Sequence, residues 1–284
     1  MRWTPGGVSS DIEDRRGSSG FGIGGAPLGI GGAVVLAILS LIFGRNLFTD
    51  AGGGSGVQPR AAVNQPVAQS PEEQKEVQFI SFVLDDAQST WDRILPQQAR
   101  ADYHHARLVL FRDATDSACG FAQAASGPFY CPEDEKVYVD LAFYEELQQR
   151  FGAPGDFAQA YILAHEIGHH VQKIVGIEPR VHAAMESDPQ HARDLSVRLE
   201  LQADCFAGVW GHSTEQRNIL EGGDVEEGLN AAASVGDDRL QRMAGRRVNP
   251  DSFTHGSSSQ RTEWFRRGFK SGRMSDCDTF NGAF

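Results

Sequence analysis

The sequence predicts an α+β fold: a mainly helical domain with a small β-sheet, preceded by a single transmembrane helix. Apolar residues recur at helical spacing in several long segments, and two short runs are rich in β-branched and aromatic residues. One long apolar stretch in the first fifty residues carries no charge. With 284 residues, of which 40% are hydrophobic, the chain can bury one good core.

Residues 21–48 are predicted to form the membrane anchor. No charged residue lies between Arg16 and Arg45, and residues 21–43 supply the roughly 20 mostly apolar positions that a span needs. The alternatives are a cleaved signal peptide or a glycine-rich soluble segment, but residues 43–48 make a poor cleavage site. The arginine count favours residues 1–20 as a short cytoplasmic segment, which places the rest of the chain outside the cytoplasm.

Residues 49–75 are predicted to be a flexible linker, because Gly, Pro, Gln, Ala and Ser dominate them without hydrophobic periodicity. The folded domain is predicted at residues 76–284. Its first helix ends at Pro96, and β-type runs follow at residues 107–111 and 136–140. Further helices are predicted from Asp156 toward Gly176, over residues 192–210, and around residues 225–233 and 257–270.

The net charge of −12 argues against nucleic acid as a main partner, because phosphate binding needs a basic surface.

Residues 164–170 read AHEIGHH and contain the pattern HExxH. Histidines four positions apart project from one face of a helix, so His165 and His169 can reach a common metal ion while Glu166 lies beside it. Short matches arise by chance on helices with surface histidines, but this segment is apolar and Ala-rich. Gly168, which costs a helix about 1 kcal/mol against alanine, indicates that room is needed there for a metal or a close neighbour.

Glu200 is the predicted third ligand. It lies in the apolar helical segment 192–210, and two histidines with a glutamate and water form an established catalytic zinc set. Asp204, one turn further, is predicted to accept the outer ring N–H of a ligating histidine. A solvated acidic face is the alternative interpretation, and the apolar context favours burial.

With these residues the chain resembles the gluzincin class of metallopeptidases and, more widely, the bacterial neutral zinc metallopeptidases. The resemblance covers nearly the whole chain. It rests on the motif and on the segments 1–3, 13–17, 198–210, 236–241, 252–256 and 277–280. It implies a zincin-like fold, one zinc ion per chain and a peptide or protein substrate, with a small sheet whose edge strand borders the cleft.

The predicted reaction is peptide hydrolysis by zinc-activated water with Glu166 as general base. His255, in a loop before the last helix, is a candidate donor to the oxyanion of the tetrahedral intermediate, and Tyr161 is a weaker one. An ordinary surface or capping role is the alternative for His255. The other histidines are interpreted as surface or structural residues: His104, His105, His170, His182, His191 and His212.

The four cysteines, all beyond the predicted anchor, are consistent with two disulfides in an exported domain. Cys119 and Cys131 flank a short Gly- and Pro-containing loop and are predicted to pair, which leaves Cys205 for Cys277. Buried free thiols and a second metal site are the alternatives, although the spacing matches no zinc ribbon. The runner-up function is a non-catalytic zinc-binding scaffold of the cell envelope, and the absence of a CxxC motif argues against a redox protein.

Overall fold

The computed structural model describes residues 1–17, 69–123, 127–149 and 155–280. The predicted anchor, residues 21–48, lies outside these ranges, and so do residues 49–68 of the predicted linker. Within the described ranges, no helix has both the length and the apolar character needed to cross a membrane.

The described residues are mostly helical and carry a small sheet, as the sequence predicts. The helices are α1 (Pro71–Gln98), α2 (Ala142–Gln149), α3 (Asp156–Ile174), α4 (Ile177–Ser187), α5 (Ala192–Gln216), α6 (Asp224–Ser234), α7 (Asp237–Met243) and α8 (Ser258–Ser271), with 3-10 turns at Pro250–Ser252 and Met274–Cys277. The strands are β1 (Ile12–Asp14), β2 (Arg107–Phe111), β3 (Ala114–Ser117), β4 (Gly120–Gln123), β5 (Phe129–Cys131) and β6 (Lys136–Asp140).

Local signals account for several helix ends. Ser70 caps α1 by accepting a hydrogen bond from the backbone N–H of Glu73, and a proline occupies the first turn. Ser257 and Gln260 form a reciprocal capping box at the start of α8. Gly176, in the left-handed conformation, separates α3 from α4 and confirms the predicted stop.

The main sheet has the strand order β1-β2-β6-β5. Strands β1, β2 and β6 are parallel, and β5 runs antiparallel to β6 at the edge. Strands β3 and β4 form a separate hairpin. The two predicted runs coincide with β2 and β6, which are neighbours in the sheet.

Helix α3 is central to the core and packs against α1, α5 and α6. Its Phe157 stacks on Trp210 of α5, with ring centroids 5.6 Å apart. Helices α5 and α8 approach closely, because a Cβ at Gly268 would lie 1.9 Å from the carbonyl oxygen of Cys205. Any larger residue at position 268 would force these two helices apart.

Both predicted disulfides are present. Cys119–Cys131 joins the β3–β4 turn to strand β5. Cys205–Cys277 joins α5 to the 3-10 turn that follows α8.

The folded domain extends further toward the N-terminus than residue 76, where the sequence prediction begins it. Helix α1 starts at Pro71, and β1 inserts residues 12–14 into the sheet beside β2. The described part of the predicted cytoplasmic segment, residues 1–17, therefore packs on the domain instead of standing apart from it. Sequence pattern alone misses this strand because only three residues form it.

Candidate metal centre

Three side chains that suit a metal ion converge between α3 and α5. His165 and His169 lie one turn apart on α3, and Glu200 lies on α5. The two Nε2 atoms are 3.2 Å apart, and Glu200 carboxylate oxygens lie 3.2 Å from His165 Nε2 and 3.6 Å from His169 Nε2. Zinc bonds of about 2.0–2.1 Å at tetrahedral angles place ligand atoms about 3.3 Å apart. The donor set and its spacing therefore fit a single zinc ion.

The three candidate ligands are mostly buried but remain partly accessible to solvent. Their side chains are between 7% and 17% exposed. A catalytic zinc site needs this combination, because one coordination position must stay open to water and substrate.

The outer ring nitrogens of both histidines are held by acceptors. His165 Nδ1 lies 2.8 Å from an Asp204 oxygen, and His169 Nδ1 lies 2.9 Å from the amide oxygen of Gln172. Each Nδ1 then carries the proton, so each Nε2 presents its lone pair to the metal. The structure thus places Asp204 where the sequence predicts it, and it adds Gln172.

Asp204 is fully buried and is neutralised by Arg261 of α8. The guanidinium donates from Nε and Nη2 to the two carboxylate oxygens, both at 2.8 Å, in a two-pronged pair. The Tyr161 hydroxyl also donates to Asp204. The hydroxyl of Tyr161, the weaker oxyanion candidate, is therefore occupied by its hydrogen bond to Asp204, the residue that holds His165.

These charges set the protonation of His165. Burial lowers the pKa of His165, but the Asp204 carboxylate, helped by Glu200, outweighs it and raises the pKa to about 10. A metal ion bound at this ring would therefore compete with a proton and release it.

Gly168 makes room for the neighbouring helix. A Cβ at this position would lie 3.0 Å from the carbonyl oxygen and 3.2 Å from the Cα of Ala203 on α5. Of the two predicted reasons for this glycine, close approach of a neighbour is the one that the structure supports. The close approach of α5 to α3 at Gly168 places Glu200 beside His165 and His169.

Glu166 lies beside the ligands and is buried, at 8% exposure. Burial raises the pKa of its carboxyl group, while His165 and His169 and the backbone N–H of Tyr130 act in the opposite direction. The net direction is upward, as a general base working near neutral pH requires.

His255 approaches the centre from the loop between the Pro250–Ser252 turn and α8. Burial acts to raise the pKa of Glu200, but His255, together with His165 and His169, outweighs it and holds that pKa well below its usual range. Asp237 secures the loop, since one carboxylate oxygen accepts the backbone N–H groups of Thr254, His255 and Gly256 at 2.7–3.0 Å. The structure thus brings His255 near the ligands.

His170, which the sequence interpretation leaves as structural, connects α3 to the edge strand β5. Its Nδ1 lies 3.0 Å from the Tyr130 hydroxyl, and its Nε2 lies 2.7 Å from the carbonyl oxygen of His104. His104 and Glu135 stand close enough to His170 to form a second group of potential metal ligands. Both His170 nitrogens are already hydrogen-bonded to protein atoms, which favours a structural role.

Gln172 and Arg261 are the functional side chains that sequence reasoning misses. Gln172 is fully buried, and its amide donates to the carbonyl of Leu199 and to Gln202, so it links α3 to α5. Its position, three residues after His169 on the same helix face, is the signal that could have identified it. Arg261 gives no comparable local signal, because it lies 57 residues from Asp204.

The family to which the chain is similar agrees with this chemistry. The family model described as "Putative neutral zinc metallopeptidase" matches residues 1–280. The chain is 46% identical over 286 residues to "Uncharacterized protein YpfJ" of Escherichia coli strain K12, covering 99% of both chains. It is 39% identical over 206 residues to "Uncharacterized protein Rv2575" of Mycobacterium tuberculosis, covering 69% of this chain and 67% of that protein. No solved structure matches the chain.

Proposed function

The chain belongs to the family described as "Putative neutral zinc metallopeptidase", and we propose that it is a zinc-dependent endopeptidase that uses Glu166 as general base. The observation that carries the proposal is the spacing of His165, His169 and Glu200, whose ligand atoms lie 3.2–3.6 Å apart with a buried glutamate next to them. Zinc, when bound by these three residues, would act as a Lewis acid toward water and the peptide carbonyl.

The residues of the chain divide the remaining work. Glu166 takes the proton of the attacking water and passes it to the leaving amine. His255 donates to the oxyanion that develops on the substrate. Asp204 and Gln172 keep the two histidine rings in the tautomer that the metal needs.

Strand β5 is the proposed guide for the substrate, in a zincin-like arrangement. It forms the edge of the sheet, and its Tyr130 N–H interacts with Glu166, so the strand borders the centre. An extended peptide can pair with such an edge through backbone hydrogen bonds. This mode of binding reads the main chain with little side-chain preference.

The alternative is a zinc-binding scaffold of the cell envelope without catalysis. A structural zinc ion is normally enclosed by four protein ligands. Among the described residues, the group around His165 contains three, and Glu166 stands free of the ligand set. Both features favour catalysis.

The test is hydrolysis of a mixed fluorogenic peptide library by the full chain, purified in detergent and loaded with zinc. Glu166→Gln is the matched control, since it keeps the shape of the side chain but cannot act as a base. We expect one zinc per chain in both proteins and cleavage by the parent alone. Equal cleavage by the variant would disprove the role of Glu166, and one bound zinc without cleavage by either would favour the scaffold.

The proposed location of the metal centre is outside the cytoplasm. Two disulfides join residues of the domain, and such bonds persist mainly in oxidising compartments. The predicted membrane anchor at residues 21–48 stays a prediction.

A further inference from the structure

Residues 1–17 are built into the domain that carries the metal centre. Strand β1 pairs in parallel with β2, with Ile12 opposite Leu108 and Asp14 opposite Leu110. The pairing continues beyond the strand at both ends. The N–H of Leu108 donates to the carbonyl of Asp11, and the N–H of Arg15 donates to the carbonyl of Leu110, both at 2.8 Å.

Charged side chains fix the segment on two further elements. Glu13 accepts from Lys136 of β6 at 2.9 Å. The Arg16 guanidinium is completely buried and bonds Asp14 at 2.6 Å and Glu73, in the first turn of α1, at 2.9 Å. In the docked position the buried guanidinium is paired with both carboxylates, so its charge is satisfied there.

Polar and aromatic contacts extend the same docking along α1. Ser9 donates to Asp85 at 2.6 Å, and Asp11 accepts from Gln88 at 2.9 Å. The Trp3 ring lies 5.3 Å from that of Phe79. The segment therefore contacts the first helix over several turns.

The contact between Arg16 and Glu73 holds the end of the described range 1–17 close to the start of the described range 69–123. Arg16 is next to residue 17 and Glu73 is four residues after residue 69, and their ion pair measures 2.9 Å. A single crossing of a bilayer between them would separate the two ends by the hydrocarbon thickness, about 30 Å. In that case strand β1 could not pair with β2, as it does in this structure.

We propose that residues 1–17 lie on the same side of the membrane as the metal centre. This placement differs from the cytoplasmic location that the sequence predicts for residues 1–20. It does not depend on the proposed peptidase activity, because it rests on the packing of residues 1–17 against the domain.

Single-cysteine labelling of the full chain in spheroplasts and in inverted membrane vesicles tests the proposal. The four native cysteines are all in disulfides, so the background of free thiols is low. Gly6→Cys reports on the N-terminal segment and Gly222→Cys on the domain. Both glycines are exposed and have open space around an added Cβ, so neither substitution should disturb folding.

We expect a membrane-impermeant maleimide to label both variants in the same preparation and neither in the other. Unreacted thiols are counted with a second maleimide after denaturation, so that poor reactivity is not mistaken for protection. Labelling of the two positions from opposite sides would overturn the proposal.

Discussion

Replacing Arg261 by methionine should destabilise the protein strongly. Arg261 and Asp204 are 4% and 0% exposed, and the pair is held by two hydrogen bonds of 2.8 Å. Methionine fills much of the same volume but leaves the Asp204 carboxylate buried with only His165 and Tyr161 as donors. Breaking a buried pair by removing one partner costs about 3–5 kcal/mol.

The matched control is Arg242→Met. Arg242 pairs with Asp238 at 3.0 Å, but its side chain is 62% exposed. An exposed pair of this spacing on a helix contributes about 0.3–0.5 kcal/mol. Arg261→Lys keeps the charge but loses the two-pronged geometry, so its cost should fall between those of the two methionine variants.

Urea unfolding of the full chain in detergent and EDTA measures all three variants without a contribution from metal. For a domain of this size, each kcal/mol corresponds to roughly 2–4 °C in Tm, so thermal unfolding of Arg261→Met should shift by on the order of 10 °C. A loss for Arg261→Met no larger than that for Arg242→Met would refute the assignment of Arg261 as the neutralising partner of Asp204.

Three other perturbations test separate parts of the structure. Gln172→Leu removes the acceptor of His169 Nδ1 and should weaken zinc binding by about 10–100-fold in competition with a chromogenic chelator, while unchanged affinity would contradict the role of Gln172. Replacing Cys205 and Cys277 by alanine removes a bridge between residues 72 positions apart and should lower the free energy of unfolding by about 4 kcal/mol. The same change at Cys119 and Cys131, which are 12 positions apart, should lower it by about 3 kcal/mol. The reverse order in urea unfolding would contradict this prediction. Hydrogen bonding to Arg15, assisted by Lys136, lowers the pKa of Glu13 to about 2. The Glu13 carboxylate therefore stabilises the fold above its unfolded pKa of about 4.3 and loses that effect as the pH falls toward 2, so Glu13→Gln should flatten this part of the acid-unfolding curve.

The cluster of His165, His169 and Glu200 was predictable because its signal is local. Two histidines four positions apart, and a glutamate in a second apolar helix, specify donor type and helix face without any tertiary information. Asp204 follows from the same helical spacing. The sequence also predicts β2, β6 and the main helices, because each contains enough apolar residues to show its period.

Two of the missed features, strand β1 and the role of Arg261, depend on contacts between residues that are distant in the sequence. Strand β1 is too short to show a period, and its partner β2 lies nearly one hundred residues away. Arg261 reaches Asp204 only because α8 packs closely on α5 at Gly268. Such contacts arise from packing, and a single sequence carries no direct record of them.

The residue pair Gln172 and Gln202 has a consequence for where the protein can be shortened. Gln172 holds His169 and donates to Gln202, which in turn donates to the carbonyl of Cys277 at 3.0 Å. Two amide side chains thus form a relay of hydrogen bonds from His169 to Cys277, more than one hundred residues downstream. Cys277 is also attached to α5 by its disulfide with Cys205. Recombinant versions that end before residue 277 would keep all three metal ligands and yet lose the far end of this relay.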